Sequence, residues 1–104
     1  MGDSGDGDEV DRDETAPGGF DPGRPYALDP GVAVRPEPFG ALAYHYGTRR
    51  LTFLRSPLLA DVVRHLGDYE SVDAALSDRV PPADHRAYRR ALASLADSRF
   101  LRAG

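Results

Sequence analysis

Apolar and polar positions begin to alternate in order near residue 26, and their period changes once, close to residue 56. The run VAVRP, residues 32–36, is short and β-branched and predicts a first strand. Pro36 and Pro38 blunt its end, since a proline nitrogen has no hydrogen to give to a sheet ladder, which suits a sheet edge. From Phe39 to Tyr46 a second strand puts Leu42, Tyr44 and Tyr46 on one face and Phe39, Ala41, Ala43 and His45 on the other. Gly47 offers a permissive backbone for a tight loop with Thr48 and Arg49 at its tip. LTFL, residues 51–54, follows as a third strand without proline.

After Ser56 the period becomes helical. Ser56-Pro57 pairs a hydroxyl N-cap with proline at the first helical position, and Leu59, Val62, Val63 and Leu66 recur at i, i+3, i+4 and i+7. Gly67 stands where a C-terminal cap is wanted. A second helix is predicted from Ser71 through Arg79, with Val72, Ala75 and Leu76 inward, until Pro81-Pro82 stops it. A third runs from about Ala83 to Ala96 with Tyr88, Ala91, Leu92 and Leu95 as its apolar stripe, after which Phe100 and Leu101 fold back onto the core. Three strands followed by three helices make an α+β domain, the helices covering one face of a small antiparallel meander.

Composition divides the chain. Residues 1–25 hold eight acidic side chains against two arginines, with Val10 and Phe20 as the sizeable apolar groups. Ordering that stretch would cost about 1–2 kcal/mol per residue in backbone entropy with little to bury in return, so it is expected to be a disordered acidic tail. The folded domain is then residues 26–104. The whole chain has a formal charge of −4 and the tail −6, which leaves +2 on the remainder. All thirteen basic residues are arginine. There is no cysteine, hence no disulfide and no thiolate-bound metal or iron–sulfur cluster, which a cytoplasmic location allows. No apolar run has the length of a membrane span or a signal-peptide core.

In a three-stranded meander the outer strands each carry a row of free N–H and C=O groups. The first is defended by proline; the third is not, and such an edge is commonly blunted unless another chain adds there. Arg86, Arg89 and Arg90 lie opposite the stripe of the third helix, and Arg49 and Arg50 sit beside the third strand. If that helix packs along that strand, the two form a groove with a hydrogen-bonding floor and a cationic rim, suited to an extended acidic peptide. Two plainer readings stand beside it: an edge covered by the helix, and a solvated arginine face. Chemistry for catalysis is absent from the pattern. His45, His65 and His85 have no second ligand at metal spacing, and no nucleophile, base and orienting group can be assembled, so a non-enzymatic binding protein without metal or cofactor is expected.

The segment RPEPFGALAYHYGTRRLTFLRSP with the following LLADVVRHL, together with RALASLADSRFLR, resembles the small peptide-recognition components of the mycofactocin biosynthesis system. More broadly the chain is similar to the family of pyrroloquinoline quinone biosynthesis protein D, over residues 26–104. The resemblance implies a winged-helix-like fold and a chaperone that binds the leader of a precursor peptide as an added strand and presents it to a radical S-adenosylmethionine (SAM) enzyme. It places the peptide against the third strand, Arg50, Leu51, Thr52, Phe53 and Leu54, and against the third helix at Arg86, Arg89, Arg90 and Ala93. The rival reading of hairpin, helices and arginines is a winged-helix DNA-binding regulator. An acidic tail and an overall charge of −4 oppose a phosphate backbone, so neither nucleic acid nor membrane is expected as a partner.

Overall fold

The computed structural model describes residues 19–104. Strands β1 (Tyr26–Leu28), β2 (Val32–Glu37), β3 (Gly40–His45) and β4 (Arg50–Leu54) precede helices α1 (Pro57–His65), α2 (Val72–Arg79) and α3 (His85–Asp97), and β5 (Leu101–Ala103) closes the chain. Strands β2, β3 and β4 form an antiparallel meander in that order. The α+β arrangement and the three-strand, three-helix order agree with the sequence pattern.

Register follows from what each face must bury. Ala41 pairs with Leu54 and Ala43 with Thr52, and Ala41, Ala43, His45 and Leu54 all turn inward and are buried. Leu42 opposite Phe53 and Tyr44 opposite Leu51 therefore point to solvent. A slip of one residue would exchange the two sets, so the pattern holds the pairing. Helices α1, α2 and α3 supply Val62, Val63, Val72, Leu76 and Leu92 to the same core.

Local capping follows the sequence closely. Ser56 Oγ accepts from the Leu59 N–H at 3.0 Å, and Ser71 Oγ accepts from the Ala74 N–H at 3.0 Å. Asp84 makes no such bond for α3; instead the His85 ring meets the Val80 carbonyl at 2.7 Å and fixes the approach to the helix. At the far end of α3, Arg99 takes the left-handed conformation (φ 69°) and the Phe100 N–H reaches back to the Leu95 carbonyl at 2.8 Å. That is a helix stop ordinarily given to glycine, and it throws Phe100 into the core. Between α1 and α2, Arg79 donates to the Tyr69 hydroxyl at 2.8 Å and pairs with Asp61, while Tyr69 bonds Asp78. The bond to Asp78 holds the Tyr69 hydroxyl above its ordinary pKa, so it stays protonated.

Three features depart from the pattern. Residues 19–25, assigned by composition to the tail, are packed: Phe20 is buried against the Tyr26 ring at 4.8 Å, and the Pro22 and Arg24 carbonyls accept from the Asp73 and Val72 N–H groups at the start of α2. Residues 1–18 of the expected tail lie outside the described residues. Strands β1 and β5 form a second, two-stranded sheet, Tyr26 opposite Ala103 and Leu28 opposite Leu101. Gly67 does not cap α1. It lies in a 3-10 turn, Leu66–Asp68, where an added methyl would come within 3.1 Å of Ala27 Cβ, so it serves close packing against β1 and not a left-handed turn.

Gly40 governs the junction of the meander and α1. Its φ is 152°, and a methyl group there would fall 2.0 Å from the Leu54 carbonyl oxygen and 2.9 Å from the Ser56 nitrogen. Both contacts are backbone and cannot swing away. Gly40→Ala is expected to lower the unfolding free energy by about 3 kcal/mol or more, read as a fall in the urea midpoint. An unchanged midpoint would contradict the packing described.

Candidate functional site

Strand β4 has β3 on one side, and among the described residues no strand lies on its other side. Along it Arg50, Leu51 and Phe53 are exposed, Thr52 is half-buried and Leu54 is buried. The unpaired side opens onto a cleft of about 170 Å³ whose lining is Arg50, Leu51 and Thr52 from β4, Ser94, Leu95 and Ser98 from α3, and Phe100 beyond the helix stop. Leu95 and Phe100 are buried and form its floor; Thr52, Ser94 and Ser98 bring hydroxyls to its mouth. Sites for drug-sized molecules usually occupy about 300–1,000 Å³. This one is a slot beside a strand.

The expected meeting of third strand and third helix is thus present, but the helix contributes residues other than those named from the sequence. Arg86 and Arg90 are exposed on the N-terminal half of α3, with Arg90 one turn before Ser94. Arg89 is turned toward α2, where its Nε–H donates to Asp73 Oδ1 at 2.8 Å. Ala93 is buried in the core and offers no side chain to the cleft. The reason is rotational. A helix turns 100° per residue, so the face opposite the Tyr88–Leu92–Leu95 stripe and the flank that meets β4 are different surfaces. Ser94 and Ser98, spaced i, i+4 on that flank, are the residues the sequence reading missed. Their only signal is that they are small.

The hairpin loop that positions Arg50 is organised by His45. Its ring is buried, edge-on to Phe100 at 5.8 Å, and Nδ1 accepts from the Gly47 N–H at 3.0 Å and the Thr48 N–H at 3.3 Å. With Nδ1 an acceptor, the ring proton belongs on Nε2, which faces Asp29 Oδ1 at 3.7 Å. The Arg49 N–H bonds the His45 carbonyl at 2.8 Å, and Arg49, at φ 63°, makes the left-handed step expected of Gly47. Gly47 is needed for space: an added methyl would meet His45 Cε1 at 3.0 Å.

The solvent face of the meander is aromatic. Phe39 and Phe53 stand edge-to-face at 5.8 Å, and Tyr44 and Tyr46 likewise at 4.9 Å. Charge is sparse there, with Arg35 across from Leu42 on β2 and paired to Glu37 at 3.4 Å.

A model of the peptide chaperone MftB family matches residues 25–102, a span that contains every residue of the cleft. The chain is 48% identical over 85 residues to the peptide chaperone MftB of Mycobacterium ulcerans, covering 81% of this chain and 78% of that protein. It is 48% identical over 83 residues to its namesake in Mycobacterium tuberculosis, covering 79% and 76%. To that of Mycolicibacterium smegmatis it is 45% identical over 83 residues, covering 79% and 81%. No solved structure matches the chain.

The loop geometry makes the role of His45 measurable. His45→Ala leaves two N–H groups without their acceptor and is expected to cost about 2–4 kcal/mol, with faster amide exchange at Gly47 and Thr48. His45→Asn keeps an acceptor near the Nδ1 position and should recover part of the loss; His45→Gln, with its oxygen one bond further out, should not.

Proposed function

The chain belongs to the peptide chaperone MftB family, and from that premise we propose that it captures the leader of a mycofactocin precursor peptide as a fourth strand on β4. The captured peptide is then presented to a radical SAM enzyme, which carries out the chemistry. The observation that carries this reading is the unpaired side of β4 opening onto the cleft shared with α3. A strand laid there completes the N–H and C=O groups of alternate β4 residues, and the flank of α3 bearing Ser94 and Ser98 keeps the slot narrow enough for one extended chain.

Magnitudes say what else is required. About four ladder hydrogen bonds at roughly 0.5–1.5 kcal/mol each supply ~2–6 kcal/mol. A micromolar complex needs about 8 kcal/mol after ordering costs. Side chains of the guest must provide the remainder, through apolar contact and through Arg50, with Arg90 one turn along α3 from the cleft. A non-enzymatic protein without cysteine or cofactor suits this role, and the radical chemistry belongs to the partner, in the cytoplasm.

Backbone N–H groups alternate in direction along a strand. Of Thr52→Pro and Phe53→Pro, one therefore removes a bond to the guest and the other a bond to β3. The first is expected to fold, by circular dichroism, and to lose precursor-peptide binding by calorimetry; two folded variants with full affinity would refute strand addition. Arg50→Glu and Arg90→Glu should weaken capture more at low salt than at high salt, whereas Arg89→Glu, which breaks the pair with Asp73, should act on stability. Tight binding to duplex DNA with none to the peptide would favour the regulator reading instead.

A further inference from the structure

The solvent face of an antiparallel sheet is ordinarily polar, and an edge strand ordinarily carries charge on its outward positions. Here both outward side chains of β4 are large and apolar, Leu51 at 57% and Phe53 at 54% exposure. They sit directly across from Tyr44 and Leu42, and Phe39 adds its ring beside Phe53. On the other side of β3 the same row continues as Ala33 and Arg35 of β2. The apolar surface is thus displaced toward the free edge. It would lie beside the outward side chains of any strand added there, at the few ångströms that separate cross-strand neighbours.

The inward side of the same edge is different. Thr52, Ser94 and Ser98 line the mouth of the cleft over a floor of Leu95 and Phe100, Arg50 stands at one end, and the volume is small. A guest strand would turn alternate side chains to two unlike environments, a broad aromatic surface on one side and, on the other, a narrow slot with hydroxyls and Arg50 at its mouth over that apolar floor.

From this asymmetry we infer that the guest is selected by its outward side. It carries aliphatic or aromatic residues at positions i and i+2, which cover Leu51 and Phe53, and a small polar or acidic residue between them, which enters the slot. This rests on the strand-addition reading and adds to it the chemistry of the sequence that is chosen. The occupant is an extended amphipathic peptide, because the apolar surface is continuous with the unpaired hydrogen-bonding edge and only a strand uses both.

The test is a scan of the precursor leader with aspartate at each position in turn, binding being measured against the wild-type protein and the double variant Leu51→Thr/Phe53→Thr. Threonine keeps strand propensity, so the variant should fold. Within the bound stretch, affinity should fall about tenfold or more at every second position and by less than about threefold between them. The double variant should bind the unaltered leader about tenfold more weakly, with the two-residue rhythm gone. Sensitivity at consecutive positions, or a rhythm untouched in the double variant, overturns the inference while leaving strand addition to the proline variants. Free protein that sediments as a dimer, and as a monomer once Leu51 and Phe53 are threonine, assigns the surface to a second copy and overturns it too. A leader that binds neither protein removes both readings.

Discussion

The Gly40 backbone lies against the Leu54 carbonyl and the Ser56 main chain with no room for a side chain, and the closing of the hairpin and the entry to α1 depend on that approach. It brings the start of β3 over the end of β4, so the hairpin closes with Ala41 opposite Leu54. It also sets Ser56, which caps α1 and whose hydroxyl lies 3.3 Å from that of Tyr88 on α3. One missing methyl group thereby ties the meander to two helices. The Ser56–Tyr88 contact thus links the segment just after β4 to α3, the two elements that border the cleft.

Within this frame the two edges of the meander are treated unequally. β2 carries Pro36 and the charged pair Arg35 and Glu37, and a strand that docked there would meet a proline without an N–H and a charged row beside its outward side chains. β4 has neither guard. Its protection is steric, the flank of α3 leaving a slot beside it and not an open ledge. Such an edge admits a single extended chain more readily than a whole sheet, which reconciles an unguarded strand with a domain of this size.

Much of this was legible because short-range chemistry decided it. The hydroxyl cap at Ser56, the strand alternation from Ala41 to His45 and the stripe of α3 each follow from spacing that nothing distant overrides. The three-residue strands β1 and β5 were not legible, since YAL and LRA are too short to show a period and meet only across the length of the domain. Phe20 was masked by acidic neighbours. Gly47 and Gly67 were assigned a conformational role when their use is steric, a distinction that depends on His45 and Ala27 being close in space. For the cleft, the strand side was visible in LTFL, but the helix side required the rotation of α3, which no stripe of apolar residues determines to better than one flank.

The pairing of β1 with β5 bears on how late in folding the cleft is completed. Phe100 and Leu101 are almost wholly enclosed, the first beneath the cleft and the second in a ribbon whose other half was synthesised some seventy residues earlier. Closing so long a loop is entropically slow to begin and is rewarded only at the end. Without Phe100 and Leu101 the cleft would have a hollow beneath it, so the slot beside β4 exists only once the two ends of the described fold have met.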